Sequence, residues 1–244
     1  EDDDEAYITI ATPSTVEESE IGTVDFVVSL SKAIDQAITV EANSILGTGA
    51  GFADAFDIDL SDIGNISWNA NDNDPKTIQV SLRNNDIVEG TETFDVEFSN
   101  VTDLGGDYDI YLSTDGTTDA GAPITSTGTI TDDDRAILSV ADVNITEGSA
   151  NVAVAVSSNL EIDKTVAVDV AIGGGDADDG TSLPDDYNST GLSGTEAVNV
   201  GDDITIPLFD GDVVEGTETF EVTISSAADL TLGGYDIVFA DNVN

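Results

Sequence analysis

Carboxylate side chains recur at fixed spacing in a nine-residue segment that occurs twice in the chain. Asp-Ile-Val-Glu-Gly-Thr-Glu-Thr-Phe at residues 86–94 returns as Asp-Val-Val-Glu-Gly-Thr-Glu-Thr-Phe at 212–220, with eight of nine positions identical at an offset of 126. Carboxylate oxygens are the ligands that hard divalent cations prefer, calcium above all. The two segments therefore predict metal ligands, which are Asp86, Glu89 and Glu92 in the first copy and Asp212, Glu215 and Glu218 in the second.

The overall charge of the chain also predicts that cations bind to it. The 244 residues include 51 Asp and Glu against 5 Lys and Arg, a formal net charge of −46. Self-repulsion on this scale opposes compaction, so bound cations, high salt or both must offset it. A chain this anionic is not expected to bind nucleic acid or to dock unaided on an anionic membrane.

The chain contains no Cys, His or Met, which limits the metal sites and catalytic groups that it can form. Zinc, copper and haem lose their usual ligands, and Ser–His or Cys–His catalysis is excluded. A carboxylate pair could hydrolyse glycosides, but among 51 acids some pair reaches the required separation by chance. We therefore expect that the protein is not an enzyme.

Further pairs of segments follow the same repeat in the same order. Gly106–Ile110 is echoed at Gly233–Ile237, Glu18 corresponds to Glu147, and the triple Asp of residues 2–4 returns at 132–134, all at offsets of about 126–130. This order predicts two domains, residues 1–134 and 135–244. The second copy reads as lacking a final strand and the Asp run that follow in the first.

The elements that carry these acids are predicted to be strands, because apolar residues alternate with polar ones. The alternating segments are 77–82, 93–99, 151–156, 165–170, 203–208 and 219–224. About seven such strands per copy, separated by Gly, Asn and Asp clusters, predict an all-β fold of two tandem immunoglobulin-like antiparallel β-sandwiches.

A sandwich can bring the acidic turns to one end of each domain. Glu18 and Glu147 precede the second strand of their copies, and Asp132, Asp133 and Asp134 follow the last strand of the first copy. Six or more carboxylates gathered there would repel one another. Calcium, which takes about 6–8 oxygen ligands, would convert that repulsion into cohesion. The alternative is a loose acidic rim that holds no specific ion.

Each copy resembles the Calx-beta domain, a module of sodium–calcium exchangers and of bacterial cell-surface proteins. The resemblance covers nearly the whole chain. It rests on the Asp-x-x-Glu-Gly-x-Glu-x-Phe segment, the Thr-Ile-Thr-Asp-Asp-Asp of residues 129–134 and the earlier Glu18. It implies a seven-stranded sandwich that binds calcium at one end.

The family's ligand positions map onto this sequence as an expectation. In the first copy the implied ligands are Glu18, Asp57 or Asp54, Glu89, Glu92, Asp132, Asp133 and Asp134; in the second they are Glu147, Asp186, Asp210, Glu215 and Glu218. Where calcium-sensing members carry two Asp, the first copy has Asn84-Asn85. Asn85 can still offer a carbonyl oxygen, so we keep it as a ligand and expect fewer ions or weaker binding.

These observations favour a calcium-binding structural repeat, a rigid spacer in a large adhesin-like protein. Calcium ions and adjacent repeats of the same polypeptide are the expected partners, with an extracellular, cell-surface location in a secreted bacterial protein. Two alternatives stay open at this point. One is a calcium-sensing regulatory module, and the other is an adhesin domain that binds a surface glycan or protein, for which Trp68, the single Trp, could stack on a sugar.

Overall fold

The structure is a computed structural model of the whole chain. It describes residues 4–18, 22–48, 51–102, 108–146, 148–181, 185–192, 198–212, 214–225 and 233–240. Within these ranges the regular structure is β, apart from a single 3₁₀ turn at Leu60–Asp62, so the predicted all-β class is confirmed. No helix in the described ranges has the length and apolar character needed to cross a membrane.

The first copy folds as two packed sheets. Its strands are β1 Glu5–Ile10, β2 Val16–Glu17, β3 Thr23–Leu30, β4 Ile38–Ile45, β5 Ile66–Trp68, β6 Lys76–Ser81, β8 Glu92–Val101, β9 Asp109–Leu112 and β10 Ile124–Thr131. The short strand β7, Ile87–Val88, belongs to neither of these sheets. One sheet has the order β6-β3-β1-β9 and the other the order β2-β10-β8-β4-β5. The pairs are antiparallel except for β1 with β9 and β2 with β10, which are parallel.

The core of the first copy lies between these sheets, where the period-two pattern places the apolar side chains. Phe94, Val96 and Phe98 of β8 are fully buried, and the Phe26 ring meets the Phe94 ring edge-on at 5.7 Å between centroids. Trp68 is 1% exposed and its Nε1–H donates to the carbonyl oxygen of Asp74 at 2.9 Å. Trp68 is therefore a core residue and is not available to stack on a sugar.

The second copy repeats much of this arrangement. Its strands are β11 Ala136–Val140, β12 Asn151–Ser158, β13 Glu161–Ile162, β14 Ala167–Gly173, β15 Val198–Asn199, β16 Asp203–Pro207, β17 Glu221–Ser225 and β18 Ile237–Phe239. The sheet order β16-β12-β11-β18 corresponds to β6-β3-β1-β9, and β15-β14-β17 corresponds to β5-β4-β8. Two tandem β-sandwiches are thus confirmed.

Strand boundaries depart from the sequence prediction at one informative place. Residues 219–224 were expected as a strand, whereas β17 begins at Glu221. In the described residues no strand pairs with 219–220. Thr219 is held by a loop instead, since it donates from its backbone N and its Oγ1 to the Asp176 carboxylate, at 2.7 and 3.0 Å.

The chain divides into two compact units, and one short segment of the first copy, residues 86–89, is grouped with the second unit. The first unit comprises residues 1–85 and 90–133, and the second comprises 86–89 and 134–244. Within the second unit, β13 pairs in parallel with β7. The main division falls between Asp133 and Asp134, while the domain limits 1–134 and 135–244 stay a prediction.

Candidate metal centre

Three carboxylates from two separate stretches of the first copy meet at one point. Asp57, Glu89 and Glu92 each offer an oxygen, and these oxygens all lie within 4.8 Å of one another. Asp57 and Glu92 are buried, with 5% and 8% exposure, and Glu89 is half-buried. We call this group the first triplet.

The second copy builds a group of the same composition. Asp186, Glu215 and Glu218 also place one oxygen each within 4.8 Å of the others, with Asp186 half-buried and both Glu exposed. We call this group the second triplet. Glu215 and Glu218 follow Glu89 and Glu92 by the repeat offset of 126.

Backbone pairing shows that Asp57 and Asp186 hold the same place in the fold. Asp57 precedes Ile58, which bridges Leu82; Asp186 precedes Tyr187, which bridges Leu208. The carbonyl oxygen of Asp57 accepts from the N–H of Arg83, and that of Asp186 accepts from the N–H of Phe209, both at 2.8 Å. The two triplets are therefore equivalent sites on equivalent elements.

The structure distinguishes Asp57 from Asp54, which sequence reasoning left open. The Asp57 carboxylate is in the first triplet, and its Oδ2 accepts from the Asp54 backbone N–H. Asp54 is exposed, and its Oδ1 accepts from the N–H of Phe56 at 2.5 Å, which makes it a turn-forming residue. In the second copy, Asp186 Oδ2 accepts from the N–H of Asp178 at 2.6 Å, so one loop amide orients each triplet Asp.

A second acidic group of the first copy follows β10. Asp132, Asp133 and Asp134 place one oxygen each within 4.8 Å of one another. Glu18 lies beside this run, because β2 pairs with β10 and the Glu18 N–H donates to the Thr131 carbonyl oxygen at 2.7 Å. Glu18 is only 3% exposed, and its Oε1 accepts from the Asn85 N–H at 3.0 Å. Glu18 thus ties the Asp run to the turn that leads to the first triplet.

Other predicted ligands stand outside the three acidic groups. Asn85 meets Glu18 through its backbone N–H, and Asp86 is exposed. Asp210 and Asp212 are exposed too; the Asp210 carboxylate lies against Gly148, 3.7 Å from where a Cβ would sit. Their place in the metal site stays a prediction. Glu147 lies outside the described residues.

Sequence reasoning missed Asp176, which positions the second triplet. Its carboxylate accepts both donors of Thr219, the residue after Glu218. Those hydrogen bonds hold the pKa of Asp176 below its usual value. Asp176 follows three glycines at 173–175, and neither spacing nor repeat identity marked it, because its contact to Thr219 spans 43 residues.

Crowding of like charges is evident in the second triplet. A hydrogen bond that the protonated Glu218 carboxyl donates to the Asp186 carboxylate, together with desolvation and the charges of Asp186, Glu215 and Asp176, raises the pKa of Glu218 above its ordinary value. Nearby carboxylates disfavour another negative charge, so the Glu218 carboxyl binds its proton more tightly than an ordinary Glu does. A bound cation would supply the same relief.

The five Lys and Arg side chains of the chain are too few to balance its 51 acids. Four of them make ion pairs with other acids, which are Lys32–Asp4, Lys76–Asp72, Arg83–Asp59 and Arg135–Asp236. The fifth, Lys164, lies 3.5 Å from the centroid of the Tyr235 ring. With 51 acids in the chain, most carboxylates must be compensated by ions from solution.

The triplets fit calcium in ligand type and spacing. Oxygens that share one calcium ion at about 2.4 Å can be at most about 4.8 Å apart, and each triplet meets this limit of 4.8 Å. All ligands are hard carboxylate oxygens, and none is nitrogen or sulfur. Three carboxylates offer up to about six oxygens, so water or neighbouring acids would complete a shell of about 6–8.

Comparison with known proteins agrees with the fold and the repeat. The sequence profile of the Calx-beta domain matches residues 1–134 and again residues 130–233. No curated protein sequence matches the chain.

Several solved structures are similar to the chain. The apo-form Calx CBD1 domain is 18% identical, with a TM-score of 0.40, and covers 54% of this chain and 100% of its own. The calcium binding domain CBD12 of CALX1.1 is 18% identical, with a TM-score of 0.38, and covers 92% of this chain and 82% of its own. A two-domain protein of unknown function from Bacteroides fragilis is 8% identical, with a TM-score of 0.36, and covers 84% and 85%. Because the profile matches almost the whole chain as two consecutive copies, this protein belongs to the Calx-beta domain family.

Proposed function

We propose that each repeat binds calcium through its triplet and that the chain is a calcium-stabilised structural spacer of a larger extracellular, adhesin-like protein. The observation that carries the proposal is the recurrence of the triplet. Two sequences that differ around the mid-domain Asp, with Asp57-Ile58 in one and Asp186-Tyr187 in the other, place the same three carboxylates within 4.8 Å. If the carboxylates had clustered by chance in an acidic chain, equivalent groups would not be expected in both copies.

Stabilisation by calcium follows from the cost of the calcium-free site. Glu92 and Asp57 are almost fully buried beside Glu89, and burying like charges together opposes folding. An ion that binds the folded chain and not the unfolded chain adds stability that grows with its concentration. Folding and calcium binding are therefore coupled in each repeat.

The extracellular assignment rests on the number and type of ligands. Extracellular calcium modules work with dissociation constants of about 10⁻⁴–10⁻³ M, whereas sensors bind at about 10⁻⁷–10⁻⁵ M. Asn84 and Asn85 lower the charge beside the first site, which favours the weaker range. The five cations against 51 acids also suit a setting where divalent ions are abundant. A regulatory sensor is the alternative, and the measured affinity separates the two.

Isothermal titration of the full chain with calcium, and separately with magnesium, tests the proposal. Glu92→Gln and Glu218→Gln should each weaken one calcium site by about tenfold or more, which corresponds to about 1.4 kcal/mol. Glu97→Gln and Glu221→Gln are matched controls, because these acids lie on β8 and β17 but outside the triplets.

Two results would contradict the assignment. Absence of binding heat in millimolar calcium would refute calcium binding. Submicromolar affinity together with a calcium-driven structural change would favour a sensor over a spacer.

A further inference from the structure

Two tyrosine side chains of the first copy stand next to each other on the sheet of order β6-β3-β1-β9. Tyr7 of β1 and Tyr111 of β9 are direct partners in the parallel pairing of these strands, and their ring centroids are 6.0 Å apart at an interplanar angle of 35°. We propose that Tyr7 and Tyr111 form a modification site, at which hydrogen peroxide, acting through a one-electron oxidant such as a haem peroxidase, joins the two rings as dityrosine.

Strand pairing holds both rings on the outer face of the sheet. Ile8 of β1 and Leu112 of β9 are buried in the core. Because neighbouring side chains of a strand point to opposite faces, Tyr7 and Tyr111 lie on the side away from the core. Both residues are half-buried and so remain in contact with solvent. The Tyr7 backbone is fixed as well, since its N–H donates to Ser31 Oγ at 2.8 Å.

Each phenol has a carboxylate in place to accept its proton. The Tyr7 hydroxyl donates to Glu5 Oε2, and the Tyr111 hydroxyl donates to Asp109 Oδ1 at 3.3 Å. Glu5 and Asp109 are themselves opposite each other in the register, where like charges are unfavourable. A phenol bonded to a base in this way can pass on its proton as it loses an electron.

The acidic surroundings disfavour ionisation of the phenols and favour their oxidation. The hydrogen bond to Glu5 raises the pKa of Tyr7 to about 12, and the charge of Asp109 raises the pKa of Tyr111. A phenolate would add a negative charge beside these acids. Loss of an electron, with transfer of the proton to the carboxylate, makes the group less negative instead, and nearby negative charges favour that change.

The coupling needs no other reactant. Each tyrosine loses one electron and one proton, and the two radicals form a carbon–carbon bond between ring carbons ortho to the hydroxyl groups. The hydrogen on each coupling carbon then moves to the oxygen, which restores both phenols. Hydrogen peroxide takes up the two electrons and two protons and becomes two molecules of water.

The second copy has the same strand pairing with different chemistry. Ile137 pairs with Val238 at the place where the first copy has its two tyrosines. Two residues earlier, Arg135 and Asp236 form an ion pair at 2.7 Å, where the first copy has two acids. The cross-link is therefore confined to the first repeat.

The bond would tie the first strand of the repeat to its next-to-last strand. It would close the chain between residues 7 and 111, and a cross-link over a long loop lowers the entropy of the unfolded chain, as a disulfide does. The chain contains no Cys and cannot form a disulfide. Dityrosine would give it a covalent constraint of the same kind.

The test treats the full chain with a haem peroxidase and hydrogen peroxide. Tryptic digestion leaves Tyr7 in the fragment 1–32 and Tyr111 in the fragment 84–135. Mass spectrometry should find these two fragments joined within one chain, with the loss of two hydrogen atoms and with dityrosine fluorescence. The melting temperature of the first repeat should be higher in the cross-linked chain.

Single variants identify the reacting residues. Tyr7→Phe and Tyr111→Phe should each reduce the joined product by at least about tenfold. Tyr108→Phe and Tyr235→Phe are the matched controls and should leave it unchanged, although their hydroxyls also donate to carboxylates, both at 2.7 Å. Glu5→Gln should slow the reaction, because the amide does not take up the proton.

The unfolded chain shows whether the native pairing matters. In urea the yield within one chain should fall by at least about tenfold, since the folded strands hold the rings together. Equal yields in the folded and unfolded chain, a joined product that survives Tyr111→Phe, or cross-links only between chains would overturn the proposal. An unchanged rate in Glu5→Gln would overturn the role given to the carboxylate.

Discussion

At the scale of single residues, each triplet is an acidic group whose Asp is oriented by a hydrogen bond from a loop amide. The Asp57 carboxylate accepts from the Asp54 amide, the Asp186 carboxylate accepts from the Asp178 amide, and Asp176 fixes the residue after Glu218. Such bonds orient oxygens without neutralising them. The result is a preformed set of ligands whose charge a divalent cation can balance.

The raised pKa of Glu218 predicts how the second site responds to acid. Calcium requires the ionised carboxylate, so acidification should release calcium from the second site at a higher pH than expected for an ordinary Glu, whose pKa is 4.5. Without calcium, the effect of acidification on the stability of the second repeat is reversed. The folded state holds the proton more tightly than the unfolded state, so its contribution to stability is present below pH 4.5 and is lost as the pH rises through the raised pKa.

Thermal unfolding in chelator as a function of pH measures this effect. In the wild type, the melting temperature of the second repeat should fall as the pH rises above 4.5. In Glu218→Gln it should change less over the same interval, because Gln does not titrate. Parallel curves for the two proteins would show that Glu218 is not the responsible group.

Trp68 gives a prediction about the first core. Trp68→Ala should lower the free energy of unfolding by about 3–5 kcal/mol, as for other large core truncations. Trp68→Phe should cost less, although it leaves the Asp74 carbonyl oxygen without its donor, a loss of about 1 kcal/mol. Chemical denaturation followed by circular dichroism measures both values. Phe56→Ala is the control, since Phe56 is 78% exposed and its loss should change stability by less than about 0.5 kcal/mol.

At the scale of elements, β10 is the strand that connects the core to the acidic residues at one end of the first copy. It pairs with β8 over seven residues and with β2 at its end, and the Asp run follows it directly. Its Gly128 lies against the Phe94 ring, where a Cβ would come within 2.7 Å of a ring carbon and 3.1 Å of Val24 Cγ1. The close approach of strand and ring explains why glycine stands in mid-strand.

Gly128→Ala should therefore destabilise the first repeat by about 1–3 kcal/mol, the usual cost of overpacking a core. It should also weaken calcium binding there if displacement of β10 moves Glu18 and the Asp run. Gly64→Ala is the matched control, because no atom lies within 4 Å of its Cβ position. Equal stability of the two variants in urea unfolding would contradict the packing argument.

At the scale of the whole molecule, the net charge of −46 means that salt can stabilise the fold in two ways. Any salt screens the repulsion between the acids, whereas calcium can also bind at specific sites, and the two effects can be measured separately. Sodium chloride shortens the range of all charge interactions, to about 8–10 Å at physiological salt, and should stabilise every variant alike. If calcium binds the folded state at the two triplets as proposed, calcium at the same ionic strength should raise the melting temperature further.

Calorimetry of the wild type and of the double variant Glu92→Gln, Glu218→Gln measures the difference. We expect the double variant to keep the stabilisation by sodium chloride and to lose most of the additional stabilisation by calcium. If calcium and sodium chloride act equally on the wild type at matched ionic strength, the acids serve only as a diffuse charged surface.

The sequence by itself determined the all-β class, the tandem repeat and the two Glu of each triplet. Those properties follow from local patterns: period-two alternation in segments such as 93–99 and 151–156, and an almost unchanged nine-residue segment. The strand assignments hold because an alternating segment can bury its apolar side chains only as a strand on a half-covered sheet.

Only the tertiary structure decided which other residues join the site. It selected Asp57 over Asp54, placed Asp86 outside the acidic groups, assigned Asn85 a backbone contact to Glu18, and revealed Asp176. Each of these outcomes depends on where a loop passes through space relative to a strand distant in sequence. Residue type and spacing do not specify that path, since carboxylates three residues apart in a loop are chemically equal until packing buries one of them.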